Sequence, residues 1–173
     1  MRRSPLLLLA LTAVAAGCLP ALPRVEGSPQ PEFDPTRFFE GRTEGLGTLT
    51  VRGSRPVLVR VESVGDYLPD GAFRLRQLVR RGDAAPAERV WVLRFLGGPN
   101  THTGTLTEGG ATRDVRTVWE GDRLRIAYRM GPLTSVRQEL TLQPGGGVAL
   151  NLMTVRVLGV PIARLTEQIS RLD

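Results

Sequence analysis

From Leu46 to the C-terminus, apolar and polar residues alternate with a period of two. Val57, Val59 and Val61 alternate with Leu58, Arg60 and Glu62, and Phe73, Leu75, Gln77 and Val79 with Arg74, Arg76, Leu78 and Arg80. Leu124, Ile126 and Tyr128 alternate with Arg123, Arg125, Ala127 and Arg129, and Val136, Gln138, Leu140 and Leu142 with Arg137, Glu139 and Thr141. Successive side chains of a strand point to opposite faces, so this pattern predicts a sheet with one dry and one wet face. Turn-forming residues recur between the alternating runs: Gly53-Ser54, Pro69-Asp70-Gly71, Arg81-Gly82-Asp83, Gly97-Gly98-Pro99-Asn100, Gly109-Gly110, Gly121-Asp122, Gly131-Pro132, Gly145-Gly146-Gly147 and Gly159. They predict nine or ten strands, at 46–53, 56–65, 72–81, 88–97, 102–108, 112–120, 123–130, 135–142, 148–157 and 162–171.

One helical turn precedes the strands, because Asp34-Pro35-Thr36 reads as a helix start carrying Phe38 and Phe39. At the C-terminus, Ile162, Leu165, Ile169 and Leu172 fit a helix face, whereas Ala163, Leu165 and Ile169 fit one side of a strand. Many consecutive antiparallel strands with short loops and no helical crossovers predict an all-β, up-and-down barrel, in which closure removes the exposed edges. A double-sheet sandwich is the alternative.

The N-terminus carries different information. Arg2 and Arg3 precede an apolar run from Leu6 to Ala16, the organisation of a signal peptide. The run falls short of the ~20 apolar residues that span a bilayer. Ala15-Ala16-Gly17-Cys18 resembles a lipobox, with Ala15 where leucine is commonest, and Cys18 is the only cysteine. The segment 1–17 therefore reads as a signal peptide and Cys18 as a lipidation site; ordinary cleavage nearby, leaving Cys18 discarded or unpaired, is the alternative. From 18 to 32 the chain holds Pro20, Pro23, Pro29 and Pro31 with Gly27 and Ser28, a composition that stays extended as a tether. The remainder, 33–173, forms one barrel domain. It must hold together by packing alone, because a single cysteine allows no internal disulfide.

The net charge is +6, and all 23 basic residues are arginine. These arginines alternate with apolar residues and are interspersed with 17 acids, rather than clustering with aromatics as a nucleic-acid surface requires. They read as a solvated exterior, with some attraction to anionic headgroups. No nucleic-acid partner is expected.

His102 is the single histidine and begins a strand beside Thr101 and Thr103, a usual surface position. One histidine excludes a multi-histidine metal site and leaves a Ser/His/Asp triad without support. The glycine clusters do not lie between a strand and a helix, so they are turns rather than phosphate cradles. Glu40, Glu44 and Asp114 have nothing local to raise their pKa values, and Glu40 with Arg42 reads as a structural ion pair. No catalytic residue, metal ligand or cofactor site follows, and the chain reads as non-enzymatic.

The interior face is the candidate site. The pattern places Phe73, Trp91, Leu93, Phe95, Trp119, Leu124, Ile126 and Tyr128 there, together with the polar Gln77, Thr117 and Gln138. Polar groups in an apolar barrel fit a ligand cavity, and equally a filled core with buried waters. Gln77, Trp91, Thr117, Tyr128 and Gln138 are the candidate ligand-binding residues.

Several fragments resemble a bacterial family, domain of unknown function 3833. They are Phe38-Phe39-Glu40-Gly41-Arg42 followed by Gly45 and Gly47, Asp70-Gly71, Arg89 with Trp91, Thr103-Gly104, Asp122 to Leu124 with Tyr128, Asn151 with Met153, and Leu158-Gly159-Val160. In order they cover about 34 to 170; the chain departs from the family pattern at Thr141 to Gly147 and at Ala111 to Val118. The resemblance implies a lipoprotein with a lipocalin-like (calycin) barrel, and a strand at 162–171. With Leu19 after Cys18, it also implies export to an outer membrane, facing the periplasm. The function expected is a lipid-anchored envelope protein binding an apolar small molecule or lipid; the alternative is a solid-core module binding a protein partner, whose identity stays open.

Overall fold

The computed structural model describes residues 31–95 and 100–172. The expected signal peptide, Cys18 and most of the expected tether lie outside the described residues, as do Gly97, Gly98 and Pro99 of one expected turn.

The chain enters through α1 (Pro35–Phe39), and the expected start signal forms it. The Asp34 carboxylate accepts from the Thr36 amide at 2.9 Å and the Arg37 amide at 3.2 Å, satisfying donors that the first turn leaves free, and Pro35 occupies a position where no amide is needed. Ten strands follow: β1 (Gly41–Val51), β2 (Val57–Tyr67), β3 (Phe73–Arg81), β4 (Ala87–Phe95), β5 (Thr101–Glu108), β6 (Ala111–Glu120), β7 (Arg123–Arg129), β8 (Thr134–Leu142), β9 (Val148–Val157) and β10 (Val160–Leu172). Each pairs antiparallel with its sequence neighbours, and β10 pairs with β1 to close the barrel, with Leu49 opposite Leu165. The C-terminal segment is therefore a strand. β1 begins at Gly41, ahead of the expected 46, because Arg42 to Gly45 carry no apolar alternation and still complete both ladders.

The dry face of the alternation is the inside of the barrel. Val59, Val61, Leu75, Val79, Leu106, Val115, Leu124, Val136, Leu140, Leu165 and Ile169 are all buried. The wet face is laced by cross-strand arginine pairs, among them Arg80–Glu62 at 2.7 Å and Arg74–Asp66, as a solvated exterior requires. Exposed pairs of this kind contribute little to stability, because water screens the charges and the long side chains lose freedom in meeting. Glu40 and Arg42 do not form the expected ion pair; both side chains are exposed.

The two ends of the barrel differ. At one end Phe33, Phe38 and Phe39 pack edge to face beneath α1, with ring centroids 5.3 and 4.9 Å apart, and fill the opening. Tyr67 donates to the Thr36 hydroxyl at 2.9 Å, and Arg171 donates to the carbonyls of Arg37 and Phe38, so β2 and β10 both fasten this plug. Gly65 admits it: a Cβ there would strike the Phe39 carbonyl and the Phe73 ring. The opposite end holds the β1–β2, β3–β4, β5–β6, β7–β8 and β9–β10 connections and has no such plug.

The β9–β10 connection is a two-residue turn in which Leu158 and Gly159 both have positive φ, 50° and 82°. Turns of this kind favour Asn-Gly, since a left-handed conformation costs most side chains roughly 1–2 kcal/mol. Leu158→Asn is expected to raise the melting temperature by a few degrees, and an unchanged or lower value would show the turn to be unstrained.

Candidate functional site

The barrel is hollow. A chamber of about 520 Å³ runs along its interior, floored by Pro35, Phe39, Phe73, Leu93 and Ile169 against the plug. Val51 and Met130 line its other end while 37 % and 45 % exposed, which marks the mouth. The volume lies within the range of small-molecule sites.

The five expected residues Gln77, Trp91, Thr117, Tyr128 and Gln138 all stand on the chamber wall. Register explains why: each is an inward position of its strand, and Gln77 and Trp91 lie on adjacent strands across a Leu75–Trp91 pair. The Trp91 indole donates to the Gln77 carbonyl at 2.7 Å, and Gln77 in turn donates to the Ser63 hydroxyl at 3.1 Å. An indole can only donate, so it fixes which way the Gln77 amide points. Tyr128 meets Trp91 edge to face at 5.8 Å. Burial pushes the Tyr128 hydroxyl above its ordinary pKa, partly offset by Arg89 and by a hydrogen bond with Gln138. Gln138 otherwise donates to the Met153 sulfur at 3.4 Å, a weak acceptor. Among the described residues, the buried Thr117 hydroxyl and Asn151 carbonyl oxygens have no partner.

Two parts of the wall escaped the sequence reading. The first is Glu167, on β10 between the inward Leu165 and Ile169, buried and accepting from Asn151 at 2.8 Å. Gly45 and Gly47 make room for it: a Cβ at Gly45 would collide with its carboxyl group, and one at Gly47 with its Cβ at 2.8 Å and the neighbouring backbone. Burial pushes the Glu167 carboxyl up, with the Asn151 hydrogen bond and Arg89 partly offsetting it. An acid held up in the folded state contributes stability below the ordinary value of 4.5 that is lost as pH rises through its raised folded value. Glu167→Gln is therefore expected to remove that loss. Its melting temperature should exceed the wild type's at neutral pH and converge with it below pH 4.5, and parallel curves would contradict the burial argument.

The second is a cluster at the mouth. Arg89 donates to Glu108 at 2.8 Å, and Arg81 donates to the same oxygen at 3.1 Å. Burial works to raise the Glu108 carboxyl, but the charges and hydrogen bonds of Arg89 and Arg81 outweigh it and hold the group below its ordinary value. Arg113 also lines the chamber, and its Nη1 donates to the Ala111 carbonyl over a long 3.4 Å. The exterior reading of the arginines thus fails at 81, 89 and 113, which share the inward parity of Gln77, Trp91 and Val115.

Two further expectations are corrected. His102 is buried, not on the surface: it stacks on Trp119 at 4.8 Å with rings 23° from parallel, and burial lowers its pKa while Asp34 partly counters. Its strand position has the inward parity of Leu106. Phe95 is 61 % exposed, because at the end of β4 it has passed the barrel floor and lies edge-on to His102 at 5.7 Å.

No family model matches the chain, and no curated protein does. Solved structures share the fold. The S-type phycobiliprotein lyase CPES of Guillardia theta aligns with a TM-score of 0.60 at 7% identity, over 80% of this chain and 90% of that one. Rv2717c of M. tuberculosis aligns with a TM-score of 0.63 at 16% identity, over 82% of this chain and 100% of that one. A protein of unknown function from Nostoc punctiforme, of domain-of-unknown-function family 3598, aligns with a TM-score of 0.61 at 12% identity. That alignment covers 86% of this chain and 53% of the other, so this chain spans about half its length. At such identities the likeness shows a lipocalin-like barrel fold. Family 3598 is not the family that the sequence fragments resemble.

Proposed function

We propose that this protein is a lipid-anchored component of the cell envelope, held by Cys18 at an outer membrane facing the periplasm, whose barrel binds an apolar small molecule or lipid without transforming it. On this reading it is a member of the domain of unknown function 3833 family. The observation that carries the proposal is the chamber: plugged at one end, open at the other, apolar along most of its wall, with a few polar groups at fixed positions. A solid-core module has no use for such a space. The same barrel fold occurs in a phycobiliprotein lyase, which invites an enzymatic reading. Against that reading, His102 stacks on Trp119 instead of joining the chamber wall, so no imidazole is placed to act as a base there.

Exposed apolar side chains also favour the mouth. Met130 and Leu133 on the β7–β8 connection stand beside Leu158 of the β9–β10 turn and Val160 at the start of β10, and the two connections are joined by the Leu158 amide donating to the Leu133 carbonyl at 2.9 Å. Apolar ligands enter most easily past such a lip. The test is localisation followed by native mass spectrometry. Wild-type protein is expected in the membrane fraction with lipid on Cys18, and Cys18→Ser in the soluble fraction carrying a non-covalent apolar ligand that denaturation releases. Sedimentation of Cys18→Ser with membranes would refute the anchor. A bare protein mass that no added lipid changes would refute the binding role and favour a protein-binding module, for which Leu46 and Leu58 on the outer wall are the exposed candidates.

A further inference from the structure

The mouth holds more positive charge than it needs for its own structure. Arg81, Arg89 and Arg113 all line the chamber, and Glu108 is the carboxylate that pairs with the first two. Arg89 and Glu108 are 14 % and 17 % exposed, so this pair is largely withdrawn from water. Charges so placed are ordinarily balanced. Here one carboxylate serves two guanidiniums, and Arg113 has no ion pair among the described residues. The Tyr128 hydroxyl faces the same space: its side chain lines the chamber and interacts electrostatically with Arg89, Glu108 and Arg113. Below this ring the wall is mostly apolar down to Phe39 and Phe73, interrupted by Gln77, Thr117, Gln138 and the hydrogen-bonded Asn151–Glu167 pair.

We infer that the chamber takes an acidic amphiphile with its head at the mouth: a carboxylate or phosphate monoester lies among Arg89, Arg113 and Tyr128, and a single chain runs down towards α1. This inference rests on the apolar-ligand reading above and names the ligand's class. Guanidinium forks suit both anions, since each offers paired oxygens to parallel N–H donors. Partial exclusion of water strengthens the attraction relative to an exposed arginine. Glu108 plays the opposite part, because it occupies Arg89 and Arg81 and competes with the incoming anion. Removing its charge tightens acid binding, an outcome that a purely structural ion-pair cluster does not give.

The test titrates mature Cys18→Ser protein with four single-chain probes below their micelle concentrations, read by tryptophan emission, since Trp91 lies on the wall. The probes are hexadecanoate, hexadecyl phosphate, hexadecanol and hexadecyltrimethylammonium. Both acids are expected to bind at least about tenfold more tightly than the alcohol or the cation, as hydrogen bonds to charged groups imply. A preference between the two acids identifies carboxylate or phosphate as the natural head. Arg113→Gln is expected to weaken acid binding about tenfold and leave the alcohol unchanged, and Glu108→Gln to tighten the acids. Arg113→Gln leaves no carboxylate unpaired, so it reports even if Arg89→Gln fails to fold. Equal binding of acid and alcohol, or equal losses for both in Arg113→Gln, overturns the headgroup assignment alone. Binding of none of the four overturns it together with the apolar-ligand reading.

Discussion

Gly65→Ala is expected to destabilise the barrel by about 1–3 kcal/mol, the usual cost of forcing an extra carbon into a packed site, and to unseat α1. The added Cβ would occupy the position of the Phe39 carbonyl and press on the Phe73 ring. One of those atoms is backbone, so relief requires α1 to lift rather than a side chain to turn. Lifting it disturbs the Tyr67–Thr36 and Arg171–Phe38 hydrogen bonds and the Phe33–Phe38–Phe39 cluster at once. Gly131→Ala is the control, because its Cβ meets nothing within 4 Å. Thermal unfolding measures the first effect, and limited proteolysis near residue 33 the second. A Gly65→Ala protein as stable and as resistant as Gly131→Ala would show that the plug is not seated as described.

Filling the chamber should abolish binding without unfolding the protein. Val61 and Val155 face into it from β2 and β9. Replacing both with phenylalanine puts two rings into empty space rather than into packed neighbours, so the strain that accompanies overpacking should be small. Lost chain contacts, at roughly 0.8 kcal/mol per buried methylene, imply at least about a hundredfold weaker binding of a sixteen-carbon chain. Unchanged circular dichroism with no saturable fluorescence response is the expected pair of results. Full binding in the double variant would place the ligand on the outside of the barrel.

The strand framework was legible because most strands have one largely apolar and one polar side, and nothing in this fold asks a strand to be buried on both. α1 was legible through Asp34-Pro35-Thr36, whose cap chemistry is local. Gln77, Trp91, Thr117, Tyr128 and Gln138 were legible as inward positions by counting in twos. What escaped was everything that breaks the rule linking charge to the wet face. Glu167 sits two residues from both Leu165 and Ile169, and the same count places it inside. It is accommodated by Gly45 and Gly47 on a strand paired from the far end of the chain, which no local pattern reveals. Arg81, Arg89 and Arg113 escaped for the same reason, since inward arginines look like outward ones until the strands are counted. Whether the interior was filled or hollow was not legible at all, because that depends on how far ten strands separate the opposing walls, not on which residues face inward.

The most direct test of the central claim is a crystal structure of the mature Cys18→Ser protein grown with hexadecanoate brominated at its terminal carbon. The expected result is an anomalous bromine peak deep in the barrel, between Phe73, Leu93 and Ile169, with the carboxylate at the Arg89–Arg113 mouth. A chamber holding ordered water alone, with bromine on the outer wall or absent, would contradict the account.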